Sequence, residues 1–216
     1  MEARKNLVNL KELDLSKSKK LKGLLDLSKA MNLEVLILRS CSMLTSVHQS
    51  IFSLPKLEKL DLERCECLTI LASCPNLHGL SYLNLDFCEN LMKFSLISDN
   101  MKELRLRCSK IKALPPSFGH QRKLELLHLE ESGIERLPSL KNLTQLLHLD
   151  VSFCDKLQTI AELPPLNVQC CHLLRTVPKL PTCLKTLHTK NCSSLQKLSQ
   201  VISSCGLRLN HVCTTT

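Results

Sequence analysis

One spacing recurs along this 216-residue chain and leaves few ways to fold it. Around Cys65 the residues read Leu57-x-x-Leu60-x-Leu62-x-x-Cys65-x-x-Leu68-x-x-Leu71. The same frame runs from Leu33 to Val47 around Cys41, from Leu80 to Phe94 around Cys88 and from Leu146 to Ile160 around Cys154. Further copies surround Cys171 and Cys192. Ser18 holds the anchor place in the opening copy, and Ser109 and Ser132 hold it in two copies that are one residue shorter before the next apolar position, Ile111 and Ile134. About nine repeats result, anchored at 18, 41, 65, 88, 109, 132, 154, 171 and 192. A unit this short cannot enclose its own apolar face, so neighbouring units must supply the missing wall, and the chain is expected to stack into a solenoid.

The spacing carries its own mechanics. Apolar residues two apart, as in Leu60-x-Leu62, place both side chains on one face of a short strand and the intervening residue on the other. Each repeat therefore gives one strand. After it the chain must turn inward, and a small anchor side chain able to hydrogen-bond exposed backbone suits that turn. The return segments, such as Ser50 to Pro55 and Pro116 to His120, are too short and too interrupted by proline for full helices. The predicted fold is an α/β-class, right-handed solenoid, or horseshoe. It has one parallel β-sheet on the concave face and loops with 3-10 turns on the convex face. The repeats span residues 1–198, and 199–216, which lose the frame, form a partly disordered tail. Leucine-dominated apolar content with only 3% aromatics agrees with a core of many similar aliphatic side chains. The 17-residue step from Cys154 to Cys171 is the expected weak junction, because Pro164-Pro165 falls in a strand and removes ladder donors.

Three stretches narrow the class: Asn9-Leu10-Lys11-Glu12-Leu13-Asp14-Leu15-Ser16, Ile111-Lys112-Ala113-Leu114-Pro115-Pro116-Ser117-Phe118, and Leu157 to Leu166 with its Leu163-Pro164-Pro165-Leu166 end. They resemble the leucine-rich-repeat domain of plant (legume-like) nucleotide-binding disease resistance proteins of the TIR type. The Gly-x-Ile-Pro spacing of plant cell-surface receptors is missing. The resemblance implies a protein-interaction and recognition module of an intracellular immune receptor, cytoplasmic or nuclear. Its partners would be a pathogen effector or host protein and, in the complete receptor, the nucleotide-binding domain. The sequence contains no Gly-x-x-x-x-Gly-Lys-[Ser/Thr] phosphate loop, so nucleotide binding would belong to other domains, and the chain reads as a fragment or truncated product.

Little in the chain suggests catalysis. Of 13 cysteines, six (Cys41, Cys65, Cys88, Cys154, Cys171 and Cys192) fall on anchors and are expected to be reduced, buried and stacked behind the strands. Cys65, Cys67, Cys74 and His78 approach a zinc set without meeting its ligand spacing. No nucleophile-elbow Gly-x-Ser-x-Gly occurs. The expectation is therefore no enzyme activity, no cofactor and no metal. A thiol-dependent enzyme is one alternative and a ubiquitin-ligase adaptor another. An extracellular ectodomain is a third, supported by the sequons at Asn142 and Asn191. No apolar run reaches the roughly 18 residues that would cross a bilayer, and the opening residues lack a signal-peptide core.

A net charge of +9 invites a nucleic-acid reading, and the position of the charge argues against it. The outward strand residues lie six, four and two places before each anchor. Those three lanes carry eight acids and five bases, so the positive excess lies on loops and the outer surface, most densely at Lys17, Lys19, Lys20 and Lys22. Neither a nucleic-acid nor a membrane partner is expected. Across the lanes runs a mixed patch suited to a protein: Ile37, Arg39, Lys59, Asp61, Tyr82, Asn84, Asp86, Arg105, Arg107, Leu126, His128 and Asp150. Tyrosine and arginine are favoured interface anchors, which puts Tyr82, Arg105 and Arg107 at its centre.

Overall fold

The computed structural model describes residues 7–24, 26–71, 79–95, 98–140 and 142–157. The repeats around Cys171 and Cys192, the Pro164-Pro165 junction and the tail lie outside the described residues. Each of the seven repeats from Ser18 to Cys154 contributes one three-residue strand. These are β1 (Glu12–Asp14), β2 (Val35–Ile37), β3 (Lys59–Asp61), β5 (Tyr82–Asn84), β7 (Glu103–Arg105), β8 (Leu126–His128) and β9 (His148–Asp150). They form one parallel sheet in chain order. On the flank, β4 (Ile70–Leu71) and β6 (Lys93–Phe94) pair as a second, two-stranded parallel sheet.

The register is the one the repeat spacing predicts. Leu13, Leu36, Leu60, Leu83, Leu104, Leu127 and Leu149 sit side by side at the strand centres. From Leu36 onward these leucines are fully buried, as are the second inward residues Leu38, Leu62, Leu85, Leu106, Leu129 and Val151. Burying one such side chain contributes about 2 kcal/mol. The buried apolar residues from Leu24 to Leu157 form one continuous cluster. No coil owns a separate core.

The strands are short because the chain bends sharply just before every anchor. Lys17, Ser40, Arg64, Phe87, Cys108, Glu131 and Phe153 all adopt φ between 53° and 63°, and none is glycine. A left-handed backbone costs an L-residue about 1–2 kcal/mol. Here it is offset by hydrogen bonding, since the bent residue still donates to the next coil: Ser40 N to Glu63 O at 2.7 Å, Arg64 N to Asp86 O at 2.9 Å, and likewise at Lys17, Phe87, Cys108 and Glu131. The parallel ladder thus continues past the strand while the chain turns.

The bend throws the anchor side chain beneath the sheet. Cys41 Sγ donates to Leu15 O at 3.2 Å, Cys65 Sγ to Leu38 O at 3.2 Å, Cys88 Sγ to Leu62 O at 3.1 Å and Cys154 Sγ to Leu129 O at 2.9 Å. Each thiol is a second donor to a carbonyl of the preceding coil, which also accepts the N–H of that coil's own anchor residue. All four cysteines are buried and free. Burial pushes the Cys88 thiol up to about 12 and that of Cys154 to about 11, so both stay protonated donors.

The return segments hold 3-10 turns at Gln49–Ser53 and Pro116–His120, and no α-helix occurs among the described residues. His48 Nδ1 accepts from Ser50 N at the start of the first turn. Proline opens the second, where its missing N–H leaves nothing unsatisfied. Adjacent coils press closely there: a side chain at Gly119 would put Cβ only 2.6 Å from Ser139 O. Strands stack at ~4.8 Å while turns are bulkier, which places the sheet on the concave side of the solenoid.

Candidate functional site

The solvent side of the seven-stranded sheet brings the twelve sequence-predicted residues together in three lanes. The first lane runs Glu12, Val35, Lys59, Tyr82, Glu103, Leu126, His148, and the middle lane Asp14, Ile37, Asp61, Asn84, Arg105, His128, Asp150; both are in strand register. The last lane, with Arg39, Glu63, Asp86, Arg107 and Glu130, lies beyond the strand ends, where the ladder bonds continue.

The lanes divide into two kinds of residue. Asp61, Asn84 and Asp86 are only 0–3% exposed and offer little contact surface, contrary to a reading by alternation alone. Their work is internal. In the middle lane Asp61 Oδ1 accepts Glu63 N at 3.2 Å, Asn84 Oδ1 accepts Asp86 N at 3.0 Å, and Asp14 and Asp150 accept Ser16 N and Ser152 N in the same way. Each is an Asx turn that holds the chain as it leaves the strand. Arg105 has no such acceptor, and Asp86 of the preceding coil accepts from Arg107 N at 2.9 Å in its place.

Two arginines clamp these buried carboxylates. Arg39 reaches Asp61 Oδ2 through Nε at 2.8 Å and Nη2 at 2.7 Å, with Glu63 at 3.7 Å. Arg107 donates from Nε to Asp86 Oδ2 at 3.0 Å and from Nη1 to Glu130 Oε2 at 3.4 Å, and lies over the Phe87 ring at 5.4 Å. The bond to Asp61 and the surrounding acids hold the Arg39 guanidinium above its usual pKa. Glu63, Glu103 and Glu130, which the twelve omitted, supply counter-charges, Glu103 to Arg105.

The half-exposed residues make the contact surface: Ile37, Lys59, Tyr82, Arg105, Arg107, Leu126, His128 and Asp150, with Arg39 more open. Lys59 Nζ stands over the Tyr82 ring, 5.1 Å from its centroid, a cation–π contact between neighbouring strands. Burial, and then the charge of Asp61, raise the Tyr82 phenol, so it remains a protonated donor. Burial, followed by the positive charge of Arg105, holds the His128 imidazole below its ordinary value. Its Nδ1 is buried without a hydrogen-bond partner. The face therefore carries a rigid, mixed-charge row with an aromatic donor and a neutral imidazole, a composition suited to binding. Among the described residues no cluster of His, Cys, Asp and Glu is arranged to hold a metal ion. No helix among them is long and apolar enough to cross a membrane.

Known proteins bear out the repeat reading. The sequence profile of the family described as leucine rich repeat matches residues 31–89. Over 163 residues, 76% of the chain, it is 33% identical to disease resistance protein RPP2A of Arabidopsis thaliana, of which it covers 11%. Over 164 residues it is 35% identical to TMV resistance protein N of Nicotiana glutinosa, with 72% of this chain and 14% of that protein covered. A third relative, the Arabidopsis protein SUPPRESSOR OF npr1-1, CONSTITUTIVE 1, is 38% identical over 135 residues, 62% of this chain and 9% of that one. The chain thus spans about a tenth of the length of these relatives. Among solved structures, the leucine-rich-repeat domain of the type III effector XopL shares the fold at a TM-score of 0.59 and 20% identity, covering 92% of this chain and 75% of that one. The chain belongs to the leucine-rich-repeat proteins, and its repeats are of the kind found in plant disease resistance proteins.

Proposed function

We propose that this chain is the protein-recognition module of an intracellular plant immune receptor of the TIR type, working in the cytoplasm or nucleus and without catalytic activity of its own. The observation that carries the reading is the row Tyr82, Arg105, Leu126 and His128, held half-exposed across three adjacent strands by bonds that bury their acidic neighbours. Its occupant is a protein: a pathogen effector, a host protein or the nucleotide-binding domain of the same receptor. The lanes favour this over nucleic acid because acids outnumber bases along them. Similarity to resistance proteins at 33% and 35% identity supports the receptor context.

The test is a pull-down with the full chain, comparing a nucleotide-binding domain from a receptor of this class with unrelated baits. Tyr82→Ala combined with Arg105→Glu is expected to abolish capture and leave the circular dichroism spectrum unchanged. Equal capture by the variant would overturn the assignment of the face. Asn142, which is exposed, provides a second check: a glycan found on it in the native tissue would place the chain in the secretory path.

A further inference from the structure

The flank of the solenoid carries a feature that the concave lanes do not explain. Five places after the anchor, Gly23 bridges Ser46, and Ile70 and Leu71 pair with Lys93 and Phe94. In the shorter repeats anchored by Ser109 and Ser132 the corresponding bridge, Ala113 to Arg136, comes four places after the anchor. Among the described residues no bridge joins β6 to the next coil, the first that is one residue shorter. β6 takes its bonds from the preceding side, with Met92 N and Lys93 N donating to Thr69 O and Ser95 N to Leu71 O. Its other edge opens onto a cavity of about 1190 Å³.

The lining of that cavity specifies an occupant. Ile70, Met92 and Phe153 stand 48%, 55% and 43% exposed around it, so large apolar side chains face water with nothing packed on them among the described residues. Lys93, Lys110, Lys112 and Lys156 line the same space against two acids, Glu131 and Asp155. Ser109 also lines it. The residue is 5% exposed and its Oγ is buried with no hydrogen-bond partner. A buried hydroxyl left unpaired is unfavourable, and a ligand group bonding to it would relieve that cost.

We propose that this groove docks an extended peptide segment of a partner protein, alternating apolar and acidic side chains and laid along the open edge of β6. The apolar side chains would rest on Ile70, Met92 and Phe153, the carboxylates would lie among the lysines, and a backbone or side-chain polar group would reach Ser109 Oγ. Strand addition to an exposed sheet edge is a general mode of peptide capture. The buried hydroxyl of Ser109 in the lining and the unpaired edge of β6 favour such a segment over a bilayer, although the same lysines would attract anionic lipid. The site lies on a different face from the concave lanes, so it stands or falls independently of the reading above.

Fluorescence anisotropy with the full chain tests it. The probe is a fluorescein-labelled ten-residue peptide alternating leucine and glutamate, and its counterpart has lysine for glutamate. Saturable binding of the acidic probe is expected, at least tenfold tighter than that of the basic one. Lys112→Glu with Lys156→Glu should weaken it at least tenfold, and Tyr82→Ala should leave it unchanged. Ser109→Ala is expected to weaken the probe severalfold without lowering the melting temperature, an outcome that a purely structural serine would not give. If the charge-reversed protein fails to fold, Met92→Ser, at an exposed position, carries the same expectation of weakened binding. No saturation at millimolar protein, equal binding of the two probes, or binding indifferent to the groove variants would overturn the proposal. So would binding to phosphatidylserine vesicles, lost in the same variants, with no binding of the peptide.

Discussion

Asp86 and Arg107 bind two coils at the edge of the recognition face, and their removal separates a supporting role from a contacting one. Asp86→Ala deletes two of the acceptors of Arg107: Oδ1, which takes the backbone N–H at 2.9 Å, and Oδ2, which takes Nε at 3.0 Å. The stranded, partly buried N–H costs about 1–2 kcal/mol. The guanidinium is 32% exposed and keeps Glu130 at 3.4 Å, so its share is only about 0.5 kcal/mol. A loss of about 2 kcal/mol follows. Arg107→Ala strands a carboxylate that is 2% exposed with one backbone N–H for company, and about 3 kcal/mol is expected. The double variant leaves no orphaned charge, so it should cost about 3 kcal/mol in total, with a coupling near 2 kcal/mol. Asp86→Asn retains an acceptor for the N–H and should cost about 1 kcal/mol. Urea unfolding followed by far-ultraviolet circular dichroism reads all four. Strictly additive losses, or an Asp86→Ala variant within about 0.5 kcal/mol of the parent, would refute the clamp.

Other consequences are as direct. Ser40, at φ 57°, donates its N–H to Glu63 O, so Ser40→Gly should be neutral or stabilising by up to ~1 kcal/mol, whereas Ser40→Pro should cost at least ~3 kcal/mol, both by urea midpoint. Iodoacetamide at pH 8 with peptide-level mass spectrometry should label exposed Cys67 well before Cys41, Cys65, Cys88 and Cys154, which are spared until the chain unfolds; early labelling of Cys88 would contradict the buried thiol ladder. His128 is held below the ordinary 6.5, so the unfolded chain takes its proton first. Its contribution to stability is whole above that value, is lost as pH falls below it, and levels off once the folded imidazole also protonates. Between pH 7.5 and 5.5 the parent should therefore lose more stability than His128→Gln, and equal losses would count against the buried imidazole.

The solenoid was legible in the sequence because its cause is periodic: Leu60 and Leu62 point inward for the same reason as Leu83 and Leu85, and repetition fixes the register between them. The Cys anchors were legible too, as small buried groups that bond to backbone. Orientation was misleading for Asp61, Asn84 and Asp86. Alternation says which side of a strand a residue leaves from, but the short side chains of Asp61 and Asn84 fold back onto their own backbone, Asp86 bonds to the backbone of the next coil, and arginines cover Asp61 and Asp86. That the chain turns after each strand was legible too, but the left-handed backbone of the turn was not, because Lys17, Arg64, Phe87 and Phe153 take a conformation for which glycine is the usual signal. The shortened spacing after Ser109 was visible as a deletion. Its effect, an interrupted flank ladder with an open groove, depends on how two coils align in space.

All of this rests on coils that share one interior. Native-state hydrogen exchange, resolved by coil, measures that sharing in the parent and in Leu83→Ala, where a fully buried side chain is cut back at a cost of about 3 kcal/mol. Protection is expected to be greatest at β3, β5 and β7 and to decline toward β1, and the substitution should weaken the amides of β3 and β7 along with those of β5. Loss confined to the coil that carries Leu83, with its neighbours untouched, would show that each coil closes its own core and would contradict the account.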